Sequence, residues 1–349
     1  MKINRFRKIL TAMALVGCLL LSACGGKETL YLYNWTYYTP QTVIEKFQTE
    51  YGCEVIEDNF DSNEMMYNKI RAGGANYDIT FPSCDYTSIM ITQGMLQKID
   101  KAALANLGNI DSEVLRRAVY DPAMEYSVPY YWGAAGITVN AKQVADFEQS
   151  WSIFASPEMK GKMTMLDDMR EVMGDALVFL GYSVNTRDIA EITAARDLIE
   201  NNWKPNLARF DADSFGKNYA NGSFWVVQGY PEGVFQEIEG DRELEKNTVF
   251  FIPKEGGPAY IDSMVILKNA KNVELAHKFI DFIHRPEIYA EFCDSFRFPS
   301  TVNVPARQFI KQKPMYDAAD LLRTELKLDL GDTLYSYTDA WDNTIKVGG

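Results

Sequence analysis

Histidine is almost missing from this sequence: His277 and His284 are the only two in 349 residues, seven apart on a stretch that reads as one helix. With no cysteine or carboxylate spaced to join them, they read as packing or surface residues. The sequence gives no metal site and calls for no cofactor. Cysteine is sparse as well. Of five, Cys18 and Cys24 lie near the N-terminus, leaving Cys53, Cys84 and Cys293. That count is odd and the spacings fit no metal motif, so at most one disulfide can form and buried thiols are the expectation. A nucleophile elbow, a phosphate-binding glycine loop, a dinucleotide fingerprint and a zinc-binding helix are all absent, which weighs against an enzyme. After the N-terminal stretch, no apolar run is long enough to span a bilayer. Positive charge is also short, with 35 Lys and Arg against 48 Asp and Glu. Such a surface repels nucleic acid and draws in cations, because a cleft of one sign concentrates counter-ions.

What the chain does have begins at its N-terminus. Lys2, Arg5, Arg7 and Lys8 precede an apolar stretch from Ile9 to Leu20, too short for a spanning helix and read as a signal peptide over residues 1–23. Leu21-Ser22-Ala23-Cys24 closes it and resembles the lipobox of bacterial lipoproteins. The resemblance implies that Cys24 becomes the first mature residue and carries lipid, such as palmitate, which would anchor the protein to a membrane surface outside the cytoplasm. The formal charge is −13, and the removed segment holds four basic residues and no acid, so the mature chain stands near −17.

From Leu30 onward, short strand candidates alternate with helical periodicity, the pattern of an α/β protein with mainly parallel sheets. Leu30 to Tyr33, Cys53 to Ile56 and Tyr77 to Phe81 read as strands. Between them lie a helix opened by Thr39-Pro40 and stopped by Gly52, a polar loop containing Asn59, Asp61, Ser62 and Asn63, and a helix from Glu64 to Ala72. Ser127 to Asn140 is a long extended run suited to carry the chain between lobes. Lys162 to Leu166, Ser223 to Val227, Thr248 to Ile252 and Tyr260 to Leu267 are further strands, and Arg170 to Leu180 reads as a helix. Asn272 to His284 is strongly periodic, with Val273, Ala276, Phe279, Ile280 and Ile283 on one stripe, and Pro286 ends or kinks it. Length suggests about two domains, closely joined, since no long linker separates them.

Two kinds of side chain could carry chemistry. Asp168 and Glu171, three apart, share a helix face and could in principle do acid/base work, though capping and dipole compensation at a helix start explain them as well. Aromatic residues follow strands directly: Trp35, Tyr37 and Tyr38 after the first, Tyr86 after the third, and Tyr260 just before Asp262. Open α/β sheets bind ligands beyond the carboxyl ends of their strands. Ring faces interspersed with carboxylates suit an elongated organic cation, while core filling or sugar stacking are the alternatives for any single ring.

Several segments together resemble the spermidine/putrescine-binding proteins of bacterial polyamine ABC importers. They include Tyr33-Asn34-Trp35-Thr36, Ser62-Asn63-Glu64-Met65-Met66-Tyr67, Tyr77-Asp78-Ile79, Gly94 to Asp100, Tyr126 to Tyr130 and Trp132-Gly133. Leu166 to Val172, Pro253 to Gly257 and Asp262-Ser263 continue the series in the same order over nearly the whole mature chain. The resemblance implies a two-lobed periplasmic-binding-protein fold with hinge strands and an interlobe cleft that closes on a linear polyamine. It implies a first lobe of residues 24–136 plus 263–305 and a second of 137–262 plus 306–349. It also implies a solute receptor, likewise without catalytic residues, that delivers its ligand to an inner-membrane permease and acts as a monomer.

Carried over position by position, the resemblance assigns Trp35, Thr36, Tyr38, Ser83 and Tyr86 to an aromatic and hydroxyl wall, and Asp168, Glu171 and Asp262 to the acidic anchors. It shifts the reading of Asp168 and Glu171 from capping towards ligand nitrogens and makes Asp262 the main anchor for a terminal ammonium. The chain also departs from the family. Tyr37 stands where a Glu is usual and Asp85 where an aromatic is usual, as though a charge had been moved. Tyr230 and Tyr260 replace tryptophans, Phe298 replaces a tyrosine, and Lys327 takes the place of a C-terminal Gln. A lysine there would repel a third ammonium and favours putrescine over spermidine. The alternatives are a receptor for another cationic small solute, an extracytoplasmic hydrolase using Asp168 and Glu171, and an adhesin or sensor built on the same fold.

Overall fold

The structure is a computed structural model describing residues 27–36, 38–73 and 76–347; the signal region, Cys24 and Tyr37 lie outside the described residues. Its strands form two sheets. The first holds β1 (Thr29–Trp35), β2 (Glu54–Phe60), β3 (Ile79–Thr80), β4 (Ser127–Ala134), β10 (Pro258–Ile266) and β11 (Glu325–Leu326). The second holds β5 (Gly136–Asn140), β6 (Met163–Met165), β7 (Leu207–Phe210), β8 (Val226–Gly229) and β9 (Thr248–Phe251). Each sheet has its own core. Leu32, Ile79, Val128, Ile266, Phe279 and Phe292 belong to the first, and Ile137, Trp151, Met163, Trp203, Val226 and Tyr337 to the second. The protein is a two-lobed α/β molecule.

The sheets are less parallel than the alternation of elements predicts. Parallel pairing joins β1 to β2 and β3, β6 to β7 and β8, and β10 to β11. Where the chain passes between lobes, the pairing is antiparallel: β10 with β4, β10 with β3, and β5 with β8 and β9. Parallel neighbours within a sheet need a crossover connection, usually a helix. Strands that leave one sheet for the other escape that constraint.

The run from Ser127 to Asn140 is two strands broken at Ala135, with β4 in the first sheet and β5 in the second. Every residue of β4, β5 and β10 is buried, which explains their continuous rather than alternating hydrophobicity. A second passage runs from β9 to β10. The third lies between Leu326 in the first core and Leu330 in the second. This moves the expected lobe boundaries: all of β10 and the chain through Leu326 pack with the first lobe, whereas the sequence division places 258–262 and 306–326 in the second.

Local rules account for most elements. Gly52 ends the helix Gln41–Tyr51 in the left-handed conformation (φ 65°), as expected. Pro40 occupies the cap position itself, and the Thr39 hydroxyl turns inward to Asn34 Nδ2 at 2.9 Å and Tyr130 Oη at 3.0 Å. Pro286 does not kink the preceding helix. It opens the next one, Pro286–Phe296, at the first-turn position where its missing N–H costs nothing. Asn59 belongs to β2, which runs past the expected loop boundary. All three described cysteines are buried free thiols. His277 accepts from the Asp100 amide at 2.9 Å and His284 stacks on Tyr289, so both histidines are packing residues.

The passage from β9 to β10 is tied at Gly256 to the segment that leads into the third passage. It has φ 87°, and a Cβ there would lie 2.1 Å from the Arg323 carbonyl oxygen. The Arg323 guanidinium reaches back to donate to the Ile252 and Pro253 carbonyls at 2.6 and 2.9 Å. Gly256→Ala therefore combines an unfavourable φ with a backbone clash and should lower the unfolding free energy by about 2 kcal/mol or more. Chemical denaturation measures this; a midpoint equal to that of the wild type would contradict the close packing described.

Candidate functional site

Strand β10 bends at a register shift between Asp262 and Ser263, and there Asp262 meets Ser83 in an isolated antiparallel bridge. The Tyr38 and Ser83 hydroxyls each donate to one oxygen of the Asp262 carboxyl at 2.6 Å. Asp262 is only 4% exposed. Burial pushes its pKa up to about 7, although the two hydroxyls pull the other way by favouring the charged form. Among the described residues, no Lys, Arg or His lies within ion-pair distance of it. It is a buried carboxyl with hydroxyl donors and no cation. Asp85, two residues past Ser83 in the first turn of the helix Cys84–Thr92, is half-buried and lends negative potential to Asp262.

The second lobe contributes the helix Met169–Phe179. Asp168 is its N-cap: one carboxyl oxygen accepts from the Arg170 and Glu171 amides at 2.9 and 3.0 Å. Capping is therefore real, and the other oxygen has no hydrogen bond among the described residues. Glu171 is fully buried, accepts from the Tyr230 hydroxyl at 3.0 Å and forms an ion pair with Lys327. Burial lowers the affinity of Lys327 for its proton, but the Glu171, Asp168 and Asp85 charges outweigh this and hold the ammonium above the ordinary lysine range. Lys327, expected from the sequence only to repel ligand, is bound to one of the predicted anchors.

Rings join the two ends. Tyr230 and Tyr260 meet edge to face with centroids 5.7 Å apart, and burial together with Glu232, Asp262 and Glu171 raises the Tyr260 pKa well above the phenol value. Gly133 makes room for Tyr260: a Cβ there would sit 2.5 Å from the Tyr260 hydroxyl. The structure thus brings Tyr38, Ser83 and Asp262 into one hydrogen-bonded group and Glu171, Tyr230 and Lys327 into another, with Tyr260 between them.

Other predicted residues lie further out. Trp35, at the end of β1, donates from its indole N–H to the Phe81 carbonyl at 2.8 Å and packs on Phe60. Thr36 is exposed and donates to Asp61 at 3.1 Å. The Tyr86 hydroxyl donates to Glu64 at 3.0 Å, and its ring leans on Tyr67. Phe298 is a core residue, stacked on Tyr131 at 4.3 Å, with Tyr131 in turn 6.5 Å from Tyr260. It stands one layer behind the ring pair.

Two acidic residues escaped the sequence reading. Glu232 follows Tyr230-Pro231; its Oε2 is sealed and unpartnered even though part of its stem reaches solvent, and burial, then Asp262, raises it to about 7. Asp175, one turn beyond Glu171, is fully buried with neither oxygen hydrogen-bonded; burial and then the Glu171 charge raise its pKa well above the ordinary carboxylate range. The only available signal for Asp175 was its i+4 spacing from Glu171 within an otherwise apolar helix.

Residues 42–318 match the model of a family described as bacterial extracellular solute-binding protein. The chain belongs to this family. A "Spermidine/putrescine-binding periplasmic protein" of Salmonella typhimurium is 37% identical over 98% of both chains. A "Putrescine-binding periplasmic protein SpuD" of Pseudomonas aeruginosa is 34% identical over 85% of each. Among solved structures, the Tp0655 (TpPotD) lipoprotein of Treponema pallidum is 45% identical and superposes with a TM-score of 0.89, covering 91% of this chain and 99% of its own. The two-lobed periplasmic-binding-protein fold expected from the sequence is the fold of these neighbours.

Proposed function

We propose that the protein is the receptor of an ABC importer, capturing a polyamine such as putrescine or spermidine between its lobes and handing it to an inner-membrane permease. The observation that carries this is Asp262: a carboxyl group 4% exposed, held by two hydroxyl donors and lacking an ion-pair partner among the described residues. Such a group is costly to ionise where it stands, and an incoming ammonium offsets that cost with a charge-assisted hydrogen bond. Asp85 and the other oxygen of Asp168 offer further charge. The faces of Tyr260 and Tyr230 cover the methylene chain and add cation–π attraction, as Trp35 and Tyr38 do from the first lobe, with Thr36 and Tyr86 at the rim. The relatives' names point to the same ligand class.

In this reading the lobes act as a hinged clamp and no residue is catalytic. Asp168, which serves as a helix cap, and Glu171, which is paired with a lysine, are poorly placed for acid/base hydrolysis. Cys24 anchors the mature, monomeric protein by its lipid at an extracytoplasmic membrane surface, and among the described residues no helix is long and apolar enough to cross one.

Isothermal titration with putrescine, cadaverine, spermidine and spermine tests the proposal. Binding of at least one is expected; no heat with any of the four overturns the polyamine assignment. The interaction should also depend on pH. Asp262 takes up a proton as pH falls through about 7, and the ammonium must then displace it. Affinity should therefore drop about tenfold from pH 8 to pH 6, with net proton release on binding at neutral pH. Titrations in buffers of different ionisation enthalpy measure that release; binding that neither weakens nor releases protons would remove Asp262 from the contact.

A further inference from the structure

Lys327 occupies an unusual place. It lies on the third interlobe passage, between Leu326 of the first core and Leu330 of the second. Its backbone is fixed to the first lobe: the amide donates to the Ala259 carbonyl at 3.0 Å and its carbonyl accepts from the Cys84 thiol at 3.0 Å. Its ammonium pairs across the lobes with Glu171 on the helix Met169–Phe179. Both partners are buried, with side-chain exposures of 9% and 0%. Withdrawal of the lysine would strand Glu171 one turn from Asp175, which already has no hydrogen-bond partner. The pair is therefore a fixed part of the site.

Asp262 and Glu171 thus differ in kind. One lacks a cation and the other already has one. We infer that Lys327 is a built-in ammonium that fills the Glu171 end of the cleft and sets the ligand's charge count, selecting a diamine over a triamine. This deepens the polyamine reading and rests on it. Overall charge does not make the selection, since Asp85, Asp168, Glu171 and Asp262 outnumber the single lysine. Position does. An ammonium entering beside Asp168 or Glu171 meets Lys327 in a site shielded from solvent, where like charges repel strongly. A diamine anchored at Asp262 has one further ammonium to bring near Lys327, matched by the Asp85 charge that acts on both Asp262 and Lys327. Spermidine brings two further ammonium groups against that single lysine.

The test is the ratio of spermidine to putrescine affinity, read by titration calorimetry at pH 8 for the wild type and Lys327→Gln. The wild type should prefer putrescine, and the variant should move the ratio towards spermidine by about tenfold or more, as a ligand ammonium takes the vacated partner. The Lys327→Gln/Glu171→Gln double variant removes the repelling charge without leaving an unpaired carboxylate; it should shift the ratio the same way and keeps the test open if the single variant does not fold. A ratio unmoved in a folded variant overturns the assignment while leaving polyamine binding intact. A wild type that binds neither amine overturns the polyamine reading and this inference with it.

Discussion

Asp262→Asn should weaken polyamine binding by at least an order of magnitude while leaving the fold in place. The side chain sits between two hydroxyl donors, and an amide of nearly the same shape still accepts from one of them. What disappears is the charge. A hydrogen bond to a charged group contributes about 1.5 to 3 kcal/mol, which corresponds to roughly 10- to 150-fold in affinity. The loss should be largest above pH 7, where the wild-type carboxyl is ionised, and should shrink towards pH 6 as protonation neutralises the wild type too. Titration of both proteins at the two pH values checks this. Equal affinity at pH 8 would place the ligand's ammonium elsewhere.

The second large effect concerns stability rather than binding. Lys327→Met should lower the unfolding free energy of the ligand-free protein by about 3 to 5 kcal/mol, the usual consequence of removing one partner of a buried ion pair. Glu171 would be left unpaired beside Asp175, with the Tyr230 hydroxyl as its remaining contact. Lowering the pH should recover part of the loss, because burial raises the Glu171 pKa and protonation removes the stranded charge. Replacing both partners, as in Lys327→Met/Glu171→Leu, should recover most of it, since an apolar pair of similar volume avoids the desolvation cost altogether. Urea denaturation of the three proteins decides the matter; a single variant as stable as the double one would mean that the pair does not govern the packing around it.

How much of this was legible in the sequence depends on which force decides each feature. Local backbone chemistry was readable: Gly52 as a left-handed stop, Asp168 as a helix cap, and the apolar stripe of the helix Val273–Ile283 all follow from rules that act within one or two turns. The passage of the chain between lobes was visible as an extended run, although its break at Ala135 was not, because β4 and β5 are buried throughout and carry no alternation to mark a change of sheet. The lobe boundaries were misplaced for a related reason. β11 is two residues long, and what binds it to the first sheet is pairing with β10 nearly seventy positions away, which leaves no local trace.

The site divides in the same way. Asp262, Tyr38 and Ser83 were chosen from a family resemblance, and the fold unites them through a bridge between segments almost 180 residues apart. Phe298 could be named but not placed, since an aromatic side chain reads the same whether it lines a cleft or backs one. Glu232 and Asp175 were passed over because an acid in a helix is ordinarily solvated, and only tertiary packing reveals that these are sealed. Lys327 was read only as a charge that repels a third ammonium, and its pairing with Glu171, 156 positions away, left no local trace.

The most direct test of the account is the structure of the mature protein crystallised with putrescine. The account predicts a closed cleft with one ligand nitrogen within about 3 Å of the Asp262 carboxylate, the methylenes against Tyr260 and Tyr230, and the Lys327–Glu171 pair intact. A putrescine bound away from Asp262, or one that displaces Lys327 to reach Glu171, would contradict it.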